Sequence, residues 1–188
     1  MATTADFRNG LCIEYNNDLY TIVEFQHVKP GKGGAFVRTK LKNLKTGKVI
    51  DNTFNAGVKV NVARIERHPY QYLYKDDMGI HFMHNETFEQ TSFDPAIVQS
   101  PELLKENQNV EVVIHADSDT ALAVELPAFV EMTVTYTEPG MRGDTASSNV
   151  TKPATIETGT TIRVPFFINT GDRIKIDTRT QEYVERVK

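Results

Sequence analysis

One cysteine, Cys12, stands in a chain of 188 residues, so an internal disulfide framework is excluded. Its setting between Leu11 and Ile13 reads as a small buried side chain, not a nucleophile. No apolar run reaches the roughly 18 residues that a membrane span needs, and residues 1–10 lack a basic segment followed by an apolar one. No membrane association or signal peptide is therefore expected, and the cytoplasm is the expected compartment. Without a secretory signal, the glycosylation patterns at Asn85 and Asn149 carry no meaning. Metal-ligand spacing is also missing. On a strand His81 and His84 would face opposite sides, and Asp117 and Asp119 lack the other ligands of a calcium loop, so no metal is expected. The pair Asp76-Asp77 reads as turn chemistry instead of converging catalytic carboxylates. His115 and Asp117 have no nucleophile beside them, which argues against an enzyme.

Long helical periodicity is absent as well, and runs of β-branched and aromatic residues fill its place, separated by turn signals. The length suits three small domains of about 60 residues each. Plausible joints give residues 1–63, 64–126 and 127–188, and the net charge of -4 is divided very unequally among them. The first piece holds nine Lys/Arg against five Asp/Glu, the second four against twelve, and the third eight of each. Basic and neutral ends around an acidic middle indicate that the ends face phosphate while the middle faces protein or solvent.

The first piece is nearly all strand and turn, the pattern of a small β-barrel. Its organising feature is Lys29-Pro30-Gly31-Lys32-Gly33-Gly34, set between strand-like runs at residues 19–28 and 35–41. This reads as the tip of a long hairpin. Pro30 fixes one dihedral and removes a donor, while Gly31, Gly33 and Gly34 admit backbone angles closed to other residues, so Lys32 is presented alone at the apex. With about nine residues per arm at about 3.3 Å each, the apex stands roughly 30 Å from the hairpin base. It is not a phosphate-cradling P-loop, because Gly33 replaces the required Ser or Thr and a strand follows in place of a helix. Along the outgoing arm the period of two separates Val37, Thr39 and Leu41 from Phe36, Arg38, Lys40 and Lys42. Three cations behind one aromatic on a single face indicate phosphate contact, with Lys29 and Lys32 beside them.

Further along, residues 70–74 and 80–84 make another hairpin around Asp76-Asp77-Met78-Gly79. Asp94-Pro95 and Ser100-Pro101 each place a cap residue before a proline at the first helical position, so two short helical turns are expected as lids on the second barrel. Strands are expected at residues 110–115 and 121–126. In the third piece, strands at 129–136, 161–168, 173–176 and 182–187 surround a long irregular stretch, residues 137–153, and their pattern resembles an OB-fold.

Several stretches carry a family resemblance. Lys152-Pro153-Ala154, Gly159, Ile162, Val164-Pro165, Ile168 and Gly171 match the carboxy-terminal signature of bacterial elongation factor P in type and spacing. Residues 28–36, 85–90, 138–140, 143–146 and 183–186 add independent matches, so the chain resembles that family over essentially its whole length. Two departures stand out: Gln181 occupies a place where glycine is expected, and Ser148-Asn149-Val150 replaces a more glycine-rich spacer.

The resemblance implies an all-β monomer of three barrels, an SH3-like (KOW-type) domain followed by two OB-like ones, in an L-shaped, tRNA-like outline. It further implies binding to the ribosome, through ribosomal RNA of both subunits, between the peptidyl and exit sites, and relief of stalling at consecutive prolines. Lys32 would lie near the CCA end of peptidyl-tRNA and receive a covalent modification from a dedicated enzyme. No cofactor is expected. Gly143, Asp144 and Thr145 would face the exit-site codon of the mRNA, and Tyr183 and Arg186 the small-subunit RNA. A generic OB-fold protein for single-stranded nucleic acid is the alternative; it would need clustered exposed aromatics on a basic groove, whereas here the second barrel is acidic.

Overall fold

Alternating burial along short strands, punctuated by turns, generates an all-β chain, and the computed structural model describes residues 1–139 and 151–187. Three sheets account for the strands. The first contains β1 (Ala2–Thr3), β2 (Cys12–Tyr15), β3 (Asp18–Val28), β4 (Phe36–Asn43), β5 (Val49–Asn55) and β6 (Lys59–Val62), in the order β1-β6-β2-β3-β4-β5. The second contains β7 (Ile65–Asp76), β8 (Gly79–His84), β9 (Gln90–Phe93), β10 (Asn109–His115) and β11 (Thr120–Glu125), ordered β11-β10-β7-β8-β9. The third contains β12 (Phe129–Thr137), β13 (Thr151–Ile156), β14 (Thr161–Pro165), β15 (Arg173–Asp177) and β16 (Glu182–Val187), ordered β14-β13-β12-β15-β16. In the third sheet β14 also lies against β16, which closes it into a barrel.

By compactness the chain divides into two units, Met1–His68 with Val112–Ala123, and Pro69–Glu111 with Val124–Lys188. In the first unit Phe7, Leu11, Ile13, Ile22, Val37, Leu41, Phe54 and Val60 form one core, and Leu44, Val113, Leu122 and Ala123 form a second cluster. Cys12 is only half-buried, against the expectation of burial; its thiol lies 3.2 Å from the Thr21 hydroxyl at the margin of that second cluster. The expected turn between β2 and β3 is present: Asn16 and Asn17 both take positive φ, the conformation of a two-residue hairpin turn.

The remainder of the chain corrects several expectations. β7 starts at Ile65 and runs through Pro69, so the strand is longer than the aromatic run that signalled it. β13 occupies Thr151–Ile156, taking the end of the stretch expected to be irregular. Pro153 is tolerated because β12 has ended there: Thr137 is its last residue and pairs with Ala154. Of the two proline-led turns, Pro95–Ile97 is capped as expected, the Asp94 carboxylate accepting from the Ala96 N–H at 2.8 Å. Ser100 does not cap Pro101–Leu103; it sits at φ +48 and its hydroxyl donates to the Thr178 carbonyl at 2.7 Å. Leu103, fully buried, belongs to the core formed by Val130, Met132, Val134, Ile174 and Ile176, so this turn fills the third barrel and is not a lid on the second. Burying such a side chain contributes about 1.5 to 3 kcal/mol.

Polar residues of β8 settle into local roles. His81 and His84 do face opposite sides: His84 is buried and its Nδ1 accepts from the backbone N–H groups of Glu86 and Thr87 at 3.1 and 3.2 Å. His81 Nε2 lies 2.8 Å from the Asp76 carboxylate, which also accepts from the Met78 N–H at 2.8 Å, so Asp76 does serve the turn. The His81 hydrogen bond is the main cause that holds the Asp76 carboxyl below its ordinary pKa. Among the described residues no three His, Cys, Asp or Glu side chains converge, and no helix is long and apolar enough to cross a membrane.

Candidate nucleic-acid interface

The long hairpin is β3 with β4, paired from Tyr20 opposite Asn43 to Val28 opposite Phe36. Its loop therefore holds residues 29–35, and Lys29, Pro30, Gly31, Lys32, Gly33 and Gly34 are all exposed. Only Gly33 takes a positive φ, +108, where a side chain would be strained. Gly31 and Gly34 leave open space beside Lys32 without such a backbone need, which narrows the expectation that all three supply unusual angles.

The alternation along β4 is as expected, with Val37, Thr39 and Leu41 buried and Arg38 and Lys40 exposed. Phe36 and Lys42 are half-buried on the same face as those cations. The Arg38 guanidinium lies 5.6 Å from the centre of the Phe36 ring, and the residues opposite it on β3 and β5 are the uncharged Gln26 and Thr53. Lys40 differs. Its Nζ is 2.8 Å from a Glu24 carboxylate oxygen, and Asp51 stands opposite it on β5. Chiefly through the Glu24 hydrogen bond, these carboxylates raise the Lys40 pKa above the ordinary 10.5. Three like charges in the sequence thus become one guanidinium facing neutral neighbours, one compensated ammonium, and the half-buried Lys42.

A bulge creates that difference. Ile22 pairs with Leu41 and Glu24 with Lys40, so Val23 is an extra residue; an unbroken ladder would set Val23 opposite Lys40.

The same device organises the carboxy-terminal strand. Lys175 pairs with Glu185 and Ile176 with Tyr183, which leaves Val184 as the extra residue. Tyr183 and Arg186, three apart, would face opposite sides of a regular strand, but the bulge puts both on one face, opposite Ile176 and Ile174. The Tyr183 ring packs on the barrel core, and burial raises its phenol above 10.0 against the opposing effects of a hydrogen bond with the Arg186 backbone and the Arg186 charge. The Arg186 guanidinium stands 5.9 Å from the centre of the exposed Phe167 ring and 3.8 Å from the Asp172 carboxylate. Sequence reasoning missed Phe167 and Asp172 as site residues, although they flank the signature positions Ile168 and Gly171. Gly143, Asp144 and Thr145 lie outside the described residues.

Among the described residues the arrangement offers cations and aromatic faces on strand scaffolds. Against expectation, a hydroxyl does stand beside His115: Ser118 Oγ lies 2.8 Å from its Nδ1, and the Asp117 carboxylate 3.9 Å from its Nε2. Fold and site together define a class: an all-β chain with a KOW-like barrel and OB architecture. Family models agree, matching an elongation factor P KOW-like domain at residues 3–60, an elongation factor P OB domain at 65–124 and an elongation factor P C-terminal domain at 130–186. Elongation factor P of Amoebophilus asiaticus is 65% identical over 188 residues, with 100% of this chain and 98% of that protein covered. Elongation factor P 1 of Porphyromonas gingivalis is 58% identical, with 100% of each covered. The chain belongs to the elongation factor P family. A solved eukaryotic translation initiation factor 5A structure from Methanococcus jannaschii shares the fold over 67% of this chain and 90% of its own, at 21% identity and a TM-score of 0.50.

Proposed function

We propose that this chain, an elongation factor by family, binds the ribosome between the peptidyl and exit sites and speeds peptide-bond formation where consecutive prolines stall it. Support comes above all from the exposed Lys32 at the end of a paired β3–β4 hairpin whose outer face carries Arg38. In this reading the first sheet lies along the acceptor arm of peptidyl-tRNA, and Lys32 reaches toward its CCA end. Lys29, Arg38, Lys40 and Lys42 contact tRNA and ribosomal RNA phosphates, Arg38 most strongly. Tyr183 and Arg186 face small-subunit RNA, and Gly143, Asp144 and Thr145 the exit-site codon. The factor acts as a monomer in the cytoplasm, away from membranes and without a cofactor.

Ribosomal RNA performs the chemistry and the protein supplies orientation, so the chain is not itself an enzyme. Prolyl substrates react slowly because the ring restricts the backbone geometry of attack. Holding the reactants in register recovers several kcal/mol of barrier. Ordering a free lysine costs about 2 kcal/mol of side-chain entropy, which the Pro/Gly loop and a covalent extension of Lys32 packed along RNA offset in part. A dedicated enzyme attaches that extension. The test is a reconstituted translation system lacking any such factor, programmed with a Pro-Pro-Pro message. Adding the native protein restores full-length product; a stall that persists at saturating protein contradicts the reading.

A further inference from the structure

Phe167 follows β14 in a turn, with its ring exposed. It is 59% accessible, while its neighbour Ile168 is fully buried in the barrel core. The ring is nevertheless held in place from two directions. The Arg186 guanidinium lies 5.9 Å from its centre, and Arg186 is in turn within 3.8 Å of Asp172. The turn beneath is fixed by the Ile168 N–H donating to the Pro165 carbonyl at 3.1 Å and the Asn169 N–H donating to Asp172 Oδ2 at 2.8 Å. The Asn169 amide adds a bond to the Phe167 carbonyl at 3.3 Å. The result is a flat apolar surface beside a guanidinium that lies near a carboxylate and is about half exposed.

We infer that Phe167 is a stacking platform for one unpaired base of RNA, with Arg186 engaging the adjacent phosphate and Asp172 positioning Arg186. The inference rests on the ribosome-binding reading above and adds to it a residue and a ligand class, a splayed nucleobase. An aromatic face beside a cation is the combination by which proteins hold single-stranded nucleic acid: the π-face accepts any base and the cation accepts the backbone. Arginine suits the role because its planar fork both stacks on a ring and pairs with phosphate. A protein partner would use the same ring as an anchor in a pocket of its own, and would not require a planar substituent at this position.

Affinity of the full chain for ribosomes, read for the parent, Phe167→Leu, Phe167→Tyr and Asp172→Asn, tests it. Leu preserves apolar bulk but removes the π-face, and it weakens binding by about five-fold or more, the lower bound for one base–aromatic stack. Tyr retains parental binding, Asp172→Asn weakens it, and the parent and both Phe167 variants melt alike because the ring lies outside the core. A photoreactive p-azidophenylalanine placed at position 167 forms an RNA adduct on the bound ribosome. Equal binding by Leu and parent, or an adduct with protein alone, overturns the inference and leaves the ribosome-binding reading standing. Failure of the parent to bind overturns that reading and, with it, this one.

Discussion

Glu24→Gln should strengthen ribosome binding and make it more salt-dependent, although it removes an ion pair. In the native chain the Lys40 ammonium is 2.8 Å from the Glu24 carboxylate, with Asp51 on the opposite strand, so a phosphate reaching Lys40 must compete with a charge already in place. Arg38 faces only Gln26 and Thr53 across its two strand neighbours. Each cation that releases counterions from nucleic acid contributes about 0.7 to 0.9 to the slope of log affinity against log salt. Arg38→Gln therefore lowers that slope by about this amount. Lys40→Gln lowers it by less than half as much, and Glu24→Gln raises it as Lys40 loses its nearest carboxylate, Asp51 alone remaining opposite. Between about 50 and about 200 mM salt, a slope difference of this size is roughly a three-fold difference in how far affinity falls. Fold is unaffected, because an exposed pair of this kind contributes little to stability. Titration of labelled protein against ribosomes across that salt range measures all three. Equal slope losses for Arg38→Gln and Lys40→Gln, with none gained by Glu24→Gln, would refute the idea that the bulge at Val23 neutralises Lys40.

Two further outcomes follow from particular residues. Gln181 sits at φ +60, where glycine is at ease, and its amide bonds Glu102 and lies 3.4 Å from the Ser100 hydroxyl. Gln181→Ala keeps the backbone cost and loses those bonds, whereas Gln181→Gly loses the bonds but relieves the backbone, so denaturant unfolding should place Ala below Gly by about 1 kcal/mol. Equal stabilities would remove the strain argument. Intact-mass measurement of the protein from its native source should show an addition localised to Lys32 by fragmentation; an unmodified mass in protein fully active on Pro-Pro-Pro messages would contradict the proposed extension.

Much of the hairpin was legible because its signals are local: the Pro/Gly loop, the β-branched arms and the period of two along β4 need no knowledge of partners. Asp94 capping its turn is of the same kind. What escaped depends on pairing register. Nothing in the sequence around Val23 announces that Glu24 will stand opposite Lys40, since a bulge is fixed by how two strands twist against each other. The extra Val184 is equally silent, yet it alone puts Tyr183 and Arg186 on one side. Leu103 was misplaced for a related reason: its turn looked like a cover for the adjacent strands, but its side chain completes a core built from residues that follow it in the chain. Ser100 shows that an N-cap residue type is no guarantee of a cap when a stronger acceptor, here the Thr178 carbonyl, is within reach.

In the proposed function Lys32 acts by position at the tip of an arm whose base is held elsewhere. Lys32→Ala leaves the loop backbone unchanged, since neither Pro30 nor Gly33 is touched. Measured side by side on ribosomes stalled at Pro-Pro-Pro, its affinity should match the parent within about two-fold, because the phosphate contacts of the arm remain, while its acceleration of peptide-bond formation should vanish. Undiminished acceleration by Lys32→Ala at saturating concentration would contradict the account.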